Sequence, residues 1–489
     1  MISTERPAFS DLRPGDVIDG FRLVERMHVG GMAHLWRATR DDMSPPAILK
    51  APIIQDGDDA TAIVSFEMEQ MILPLLQGPH APRFIASGDF TQQPFIVMEL
   101  IEGESLLSRV DHAPLPVEEV VEIGAGVARA LADLHSQNVI HLDIKPSNIM
   151  RRPTGEFALI DFGLSRHDLL PDLLAEEFRL PLGTGPYLSP EQIRRDRGDP
   201  RSDIFALGVV LYYLLTGVRP FGTPRQRGAL ARRMWRDPEP PMRYNPACPP
   251  WLQEVILHCL EPEAENRYPT AAQLALDLAT PEQIRLTERA DKRGADSWLT
   301  ARRRWWAQKF APMRHPRSIA ARRAAAPIVM AALDLSEVNA GLGEVLRETV
   351  GRIMTTAPGA RLACVNVIKT SRLRIDNAQD ESGRNLHVRR LVETRQWAAG
   401  LSLPAEQVTA HVLEAVDPAA ALIDFARENH VDQIVIGAGS PVRRTIGPVA
   451  ARIGAQAPCT VTLVRQPRTA ELGPAADDAA MEPDSGFGI

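Results

Sequence analysis

Near the start of the chain, hydrophobic and polar residues alternate in short runs, and this pattern later changes to a helical repeat. The runs predict β-strands within residues 21–40 and 45–51 and at 94–100, with a helical pattern at 60–76. From Val117 onward, apolar positions recur every three or four residues behind Pro116, and a helix-rich stretch continues to about residue 278. The order predicts a small β-rich part followed by a larger helical part.

A regular exchange of strand and helix patterns occupies residues 326–466. The predicted strands are APIVMAALDL, RLACVNVIK, EQVTAHVLEA, DQIVIGAG and CTVTLVRQ, and helical patterns lie between them. Strands that alternate with helices form βαβ units with right-handed crossovers, so this part is predicted to hold a parallel sheet. The Ala-, Pro-, Asp- and Gly-rich tail at 467–489 is predicted to be disordered.

Composition narrows the class of protein. The chain has 489 residues and a formal net charge of −7, with 44% hydrophobic residues, which is ordinary for a soluble globular protein. The mild acidity argues against a nucleic-acid coat. No apolar run is long enough to span a bilayer, the N-terminus carries charges where a signal peptide is apolar, and the four cysteines form no C-x-x-C pair. A cytoplasmic location is expected.

The segment between the two main parts, residues 281–325, is predicted to be a linker. From Arg302 to Arg323 it has seven arginines, one lysine and no acid, interleaved with Trp305, Trp306 and Phe310. One interpretation is a weak contact with an anionic membrane surface. The other, which we favour, is a solvated connector whose tryptophans pack on a neighbouring domain.

Lysine is rare in this chain. Only five of the 55 basic residues are lysines, so arginine is the general surface cation. A lysine that is kept is a candidate for a site that needs a compact ammonium group.

Three motifs follow one another in the first part. Lys50 lies in the predicted strand AILK, the segment VIHLDIKPSNIM carries Asp143, Lys145 and Asn148, and LIDFGLS carries Asp161. In this order they resemble the protein kinase family, specifically the bacterial eukaryotic-like serine/threonine kinases, over about residues 20–280. The resemblance implies a bilobal α+β fold with a β-rich N-lobe (20–101) and a helical C-lobe (102–280), after an N-terminal extension (1–19).

The resemblance also implies the site. Phosphoryl transfer needs positioning and charge neutralisation, so the implied cofactors are ATP and Mg²⁺ or Mn²⁺. Asp143 would orient the substrate hydroxyl, Lys145 would contact the transferring phosphate, and Lys50 would pair with Glu69, with Glu67 in reserve. Asn148 and Asp161 would bind the metal. The residues expected around the nucleotide are Gly30, Gly31, Leu35, Ile48, Lys50, Met98 (the gatekeeper), Glu99, Ile101, Asn148 and Asp161.

Other positions depart from the family pattern. His28 and Ala33 replace two glycines of the glycine-rich loop, and Ile48 stands where an alanine usually covers the adenine. Leu142 replaces the arginine that clamps an activation-loop phosphate, so activity is expected not to need that phosphorylation.

Residues 326–466 resemble the universal stress protein family, which implies an α/β domain with a five-stranded parallel sheet. The resemblance rests on the strand that ends at Asp334 and on the stretch from Asp432 to Arg465. ATP-binding members carry a glycine motif there. In this chain Ser440 stands at the position of the second glycine, and six residues instead of nine separate it from Gly447. A regulatory or dimerising role is therefore favoured over an ATP site.

The expected function is a serine/threonine protein kinase in bacterial stress signalling, regulated by the C-terminal domain. Its expected partners are protein substrates with Ser or Thr, with a homodimer through the C-terminal domain as a further expectation and no nucleic acid. The alternatives are a pseudokinase scaffold that binds nucleotide without transfer, and an ATP-sensing dimer for which the kinase fold is the transmitter.

Overall fold

A computed structural model gives the architecture of the chain. It describes residues 12–29, 33–53, 60–88, 94–177, 181–223, 230–294, 298–309, 318–335, 340–370, 386–404, 407–438 and 446–465. The predicted nucleotide-loop residues Gly30 and Gly31, as well as Ser440, Phe310 and the tail from 467, lie outside these ranges.

An antiparallel sheet of six strands forms the first lobe, in the order β1-β2-β3-β4-β6-β5. The strands are β1 (Val17–Ile18), β2 (Phe21–Val29), β3 (Ala33–Thr39), β4 (Ala47–Pro52), β5 (Phe84–Gly88) and β6 (Phe95–Glu99). Because side chains alternate along a strand, Leu49 and Ala51 of β4 pack with Trp36 on one face. Lys50 therefore points to the opposite face, toward α1 (Ala60–Ile72).

Helices dominate the second lobe. They are α2 (Leu107–Val110), α3 (Val117–Ser136), α4 (Leu173–Glu177), α5 (Pro190–Ile193), α6 (Arg201–Thr216), α7 (Pro250–Cys259) and α8 (Ala271–Ala279). Short strands hold its loops: β7 (Glu104–Ser105), β8 (Val139–Ile140), β9 (Ile149–Arg151), β10 (Phe157–Leu159) and β11 (Arg166–His167). Nearly every side chain of α6 is buried, as expected for a helix that is apolar on all sides.

Single helical turns complete this lobe at Leu73–Leu75, Pro146–Asn148, Arg232–Met234, Pro241–Arg243, Ala264–Asn266 and Pro281–Gln283. The linker contributes α9 (Trp298–Lys309) and α10 (Ile319–Ala325). Arg304 of α9 lies 2.6 Å from Asp237, and Trp306 is 45% exposed.

The C-terminal part holds the predicted five-stranded parallel sheet, in the order β14-β13-β12-β15-β16. Its strands are β12 (Ile328–Leu333), β13 (Arg361–Lys369), β14 (Val408–Ala415), β15 (Gln433–Gly437) and β16 (Thr460–Val464). Its helices are α11 (Ala340–Thr356), α12 (Leu386–Ala399), α13 (Pro418–Glu428) and α14 (Pro448–Gln456). Every residue of β12 is buried, as expected for a central strand covered on both faces.

The two parts make direct polar contacts. Gln273 of α8 donates to the carbonyl oxygens of Ala326 (3.2 Å) and Gly359 (3.1 Å). Asp277, one turn further on α8, forms an ion pair with Arg361 of β13. Gln283 exchanges two hydrogen bonds with the backbone of Ala410 in β14. The parallel sheet therefore rests on the helical lobe through its β13 and β14 edge.

No helix in the described part of the chain is long and apolar enough to cross a membrane.

A buried ion pair joins two distant parts of the helical lobe. Arg267 reaches both carboxylate oxygens of Glu191, at 2.6 and 2.9 Å, and its side chain is fully buried. We expect Arg267→Ala to destabilise this lobe by about 3–5 kcal/mol, because an unpaired buried carboxylate remains. Thermal and denaturant unfolding of the full chain would measure the loss.

Arg194→Ala is the matched control, since Arg194 and Glu263 form an exposed pair at 3.7 Å. It should change stability by less than about 1 kcal/mol. Equal effects of the two substitutions would contradict the assignment of Arg267 as a structural cation.

Two histidines flank the Asp277–Arg361 ion pair. Burial, with smaller contributions from nearby arginines, lowers the pKa of His258 to about 3 and that of His411 to about 4. The unfolded chain binds protons near pH 6.5, where the folded chain does not. Stability should therefore be complete above about pH 6.5 and fall as the pH drops toward 4. Unfolding midpoints between pH 8 and pH 4 would test this.

His411→Gln should flatten part of that fall, because it removes one of these proton-binding groups. The control is His112→Gln at an exposed position. A pH profile that is identical for the His411 variant and the unmodified protein would rule out this origin of the acid sensitivity.

Candidate active site

Three parts of the chain meet at Lys50. Its ammonium Nζ lies 2.5 Å from Oε2 of Glu69 on α1 and 2.9 Å from Oδ1 of Asp161, which follows β10. Glu69 is 1% exposed. The structure thus brings together the predicted pair of Lys50 and Glu69, and Glu67 is not the partner.

Electrostatics hold this group in its charged form. Burial alone would lower the pKa of the Lys50 ammonium, but the charges of Asp161 and Glu69 outweigh it and raise that pKa. Burial would raise the pKa of Asp161, but the charges of Lys50 and Lys145 lower it below its ordinary value. Burial raises the pKa of Glu69, and the charge of Lys50 opposes that rise. A charged lysine and an ionised Asp161 therefore face the cleft at neutral pH.

The loop that carries Asp143 is hydrogen-bonded to α6. Asp203, which is fully buried, accepts hydrogen bonds from the backbone N–H groups of His141 (2.9 Å) and Leu142 (2.8 Å). His135 contacts the same carboxylate at 2.9 Å. Leu142 has φ of +62°, a left-handed conformation that is costly for this residue and persists because the surroundings fix it. Asp203 thus caps the loop.

Asp143 is the centre of a polar cluster. Lys145 Nζ lies 2.6 Å from its Oδ2, and the Thr184 hydroxyl donates to its Oδ1 at 2.8 Å. Asn148 Nδ2 donates to its backbone oxygen at 3.0 Å and lies 3.2 Å from Oδ2. The structure therefore brings Asp143, Lys145 and Asn148 together, and the charge of Lys145 also reaches Asp161.

The predicted adenine side is lined by strands of the first sheet. Met98 pairs with Ile48 in the register of β6 and β4, and Leu35 of β3 lies opposite Lys50. The Glu99 backbone N–H donates to the carbonyl oxygen of Arg83 at 2.8 Å.

The side chain of Glu99 is bound to another residue and is not free to contact a nucleotide. Its carboxylate forms two hydrogen bonds with Arg152, at 2.6 and 3.2 Å. Just beyond the buried Ile101, Gly103 has φ of +131°, and a Cβ there would lie 2.0 Å from the Arg151 oxygen. Only glycine fits this bend.

Four hydroxyl residues occur between Asp161 and Glu191, and each is buried or hydrogen-bonded within the fold. Ser165 is fully buried and donates to the His141 oxygen at 3.1 Å, and Thr184 contacts Asp143. Tyr187 is largely buried, and Ser189 caps α5. None offers an exposed phosphate acceptor in this arrangement.

A second cavity lies in the C-terminal part at the carboxyl ends of the parallel strands. It measures about 610 Å³ and is lined by Asp334, Asn366, Trp397 and Gly437 among others. Asn366 Nδ2 donates to the Leu333 oxygen at 3.0 Å. Ser440, at the altered glycine motif, lies outside the described residues.

Comparison with known proteins agrees with both resemblances. Residues 24–277 match the protein kinase domain family, and residues 328–465 match the universal stress protein family. The first match spans more than half of the chain, so the chain belongs to the protein kinase family, and it carries a universal stress protein domain behind it.

The similar proteins are bacterial kinases. PknB, a serine/threonine-protein kinase of Mycobacterium tuberculosis, is 32% identical over 270 residues, which cover 54% of this chain and 43% of PknB. The probable PknB kinase of Lactococcus lactis is 28% identical over 282 residues, 57% of this chain and 43% of that protein. The serine/threonine-protein kinase PknL of Mycobacterium bovis is 30% identical over 275 residues, 56% of this chain and 68% of PknL.

The chain thus matches less than half the length of the PknB relatives. Among solved structures, the kinase domain of Mycobacterium tuberculosis PknI is 21% identical, with a TM-score of 0.44, over 56% of this chain and all of that domain.

Sequence reasoning missed an apolar residue that packs beside the catalytic loop and the carboxylate that holds it there. Asp168 follows β11 and accepts a hydrogen bond from the N–H of Ile319, and Ile319 packs on Leu142. No motif marks Asp168, and Ile319 is a single apolar residue in a basic linker, so only the folded chain shows their proximity.

We expect activity to be independent of phosphorylation of the activation segment, because Leu142 replaces the clamping arginine and Ser165 is buried. Ser165→Ala and phosphatase-treated protein should keep the turnover of the untreated protein within about twofold. A phosphoryl-transfer assay, with mass spectrometry of residues 161–191, would measure both.

Thr184 needs separate treatment because it contacts Asp143 and Lys145. Thr184→Val should lose activity, while Thr184→Ser, which keeps the hydroxyl, should retain most of it. Loss of activity on phosphatase treatment, together with a phosphate found at Ser165 or Thr184, would overturn the expectation.

Proposed function

We propose that this protein is a serine/threonine protein kinase that transfers the terminal phosphate of ATP to hydroxyl groups of other proteins. The observation that supports this most strongly is the convergence of Lys50, Glu69 and Asp161 beside the cluster around Asp143. Such an arrangement is what phosphoryl transfer requires, because the reaction depends on positioning and on neutralising phosphate charge.

Lys50 and Asp161 act on the nucleotide side in this proposal. Glu69 holds the Lys50 ammonium at 2.5 Å. The lysine side chain is therefore already oriented to bind the α- and β-phosphates. Leu35, Ile48, Met98 and the backbone from Glu99 to Ile101 receive the adenine. Gly30 and Gly31 are proposed to cover the phosphates, and they lie outside the described residues.

Asp143 and Lys145 act on the acceptor side. Asp143 accepts the proton of the substrate hydroxyl and orients it, and Lys145 stabilises the transferring phosphate. Thr184 is hydrogen-bonded to Asp143 at 2.8 Å and to Lys145 at 3.1 Å, so it fixes the position of the two side chains relative to each other. Together these contacts would place a serine or threonine hydroxyl in line with the phosphate.

The donor set fits a hard divalent cation. Asp161 offers carboxylate oxygens and Asn148 an amide oxygen, the ligand types that Mg²⁺ and Mn²⁺ prefer, and the lowered pKa of Asp161 keeps it ionised. Such a cation would neutralise charge on the β- and γ-phosphates. Mg²⁺ is the proposed ion, with Mn²⁺ as the alternative.

The universal stress protein domain is proposed to regulate the kinase. Its support is physical contact, because Gln273, Asp277 and Gln283 join the helical lobe to the parallel sheet. Stress signalling in the cytoplasm, a homodimer through this domain and a weak membrane contact of the basic linker remain predictions from the sequence.

Labelled ATP tests the proposed activity. The full chain, with Mg²⁺ or Mn²⁺ and a generic protein acceptor, should incorporate label into serine or threonine. Asp143→Asn and Lys50→Met should lower turnover by about 100-fold or more, since each removes a charge that acts at the transferring group. Lys369→Ala, at an exposed lysine, is the matched control.

Two outcomes would count against the proposal. Equal incorporation in all variants would mean that another protein carries the activity. No incorporation by the unmodified chain, with ATP binding intact by calorimetry, would favour a scaffold that binds nucleotide without transfer.

A further inference from the structure

The first residue of the linker helix α10 packs against the catalytic loop. That residue, Ile319, is fully buried and forms a small apolar cluster with Ile140 of β8 and Leu142. Leu142 is the residue next to Asp143 and the one that replaces the usual arginine. An apolar contact from the linker therefore lies where kinases with that arginine have a cation.

The same residue is tied to the activation segment. The backbone N–H of Ile319 donates to Asp168 Oδ2 at 2.6 Å, and Ser318 caps the helix through its side chain. Asp168 directly follows β11, which pairs with β8. Ile319 thus contacts the catalytic loop by its side chain and the activation segment by its backbone.

The other end of α10 is fixed to the C-terminal domain. Arg323 lies 3.1 Å from Asp432, and Asp432 accepts a hydrogen bond from the Ile328 N–H at the start of β12. A helix of this length spans about 10 Å. It forms a short, rigid connection between the parallel sheet and the catalytic loop.

The remaining supports of the loop come from the kinase region itself. Asp203 holds the N–H groups, Gln192 donates to the Leu142 oxygen at 2.8 Å, and Ser165 donates to the His141 oxygen. All three lie within residues 24–277, whereas Ile319 lies beyond the matched kinase domain. Hydrogen bonds from side chains thus fix the peptide groups on either side of Leu142, and Ile319 packs against its side chain.

We propose that Ile319 is a positioning residue of the kinase, which acts through Leu142 to keep Asp143 in its productive orientation. Packing by the linker takes the place of a phosphorylated activation loop, so the docked linker is the active arrangement. This inference rests on the proposed kinase activity. The left-handed backbone at Leu142 is the reason that packing matters, since a strained residue relaxes when a neighbour is removed.

Substitution of Ile319 in the full chain tests the proposal. Ile319→Ala should lower kcat by about tenfold or more and leave KM for ATP within about twofold, because misplacement of a catalytic group acts on the chemical step. Ile319→Leu, which keeps the apolar volume, should restore most of the lost kcat. The matched control is Ile453→Ala, since Ile453 is equally buried but lies in α14.

A double variant separates positioning from general destabilisation. Leu142→Ala and Ile319→Ala act on one contact, so the pair should lose little more kcat than the worse single variant. Independent destabilisation would instead multiply the two losses. Unfolding midpoints of Ile319→Ala and Ile453→Ala, measured in parallel, show whether both variants remain folded at the assay temperature.

Hydrogen exchange keeps the test independent of the kinase activity. Ile319→Ala should speed amide exchange at His141, Leu142 and Asp143, and Ile453→Ala should not. If the unmodified chain transfers no phosphate but this exchange changes, the proposed function fails and the packing role stands. Unchanged kcat and unchanged exchange in Ile319→Ala would overturn the inference, as would a rise in kcat, which would make the docked linker inhibitory.

Discussion

The ammonium of Lys50 lies between the carboxylates of Glu69, on a helix 19 positions further along the chain, and of Asp161, in a loop 111 positions further along. Without the ammonium, the buried carboxylate of Glu69 would be left unpaired close to that of Asp161, which is unfavourable. The contact therefore fixes α1 against the sheet and the loop at Asp161 against both. The chain uses arginine almost everywhere else, and it keeps the compact ammonium of a lysine at this position.

A second set of contacts fixes the acceptor side. Asp203 of α6 binds two successive N–H groups of the catalytic loop and allows Leu142 to keep its left-handed backbone. Asp143 then meets Lys145 and Thr184 from a defined direction. The nucleotide side thus depends on charge, and the acceptor side depends on backbone geometry that charge alone could not impose.

Most of the fold was predictable from sequence because local periodicity and covalent order decide it. The alternation in FRLVERMHV and AILKAP gave strands β2 and β4, and the strand–helix exchange gave the parallel sheet. The pair of Lys50 and Glu69 was also predictable, since a spacing within a known motif fixes it. The side-chain direction of Glu99 was not, because Arg152, its partner, lies 53 positions away and carries no signal. The same holds for Ile319, whose burial depends on how two domains dock.

The activation segment bears on how other proteins could regulate this one. Between Asp161 and Glu191 the chain has four hydroxyl side chains, and each is buried or hydrogen-bonded within the fold. For the proposed kinase, this arrangement predicts that an upstream kinase would find few accessible hydroxyl groups on that segment. Its input would then reach the catalytic loop through the linker and the C-terminal domain, and not through phosphorylation of this segment.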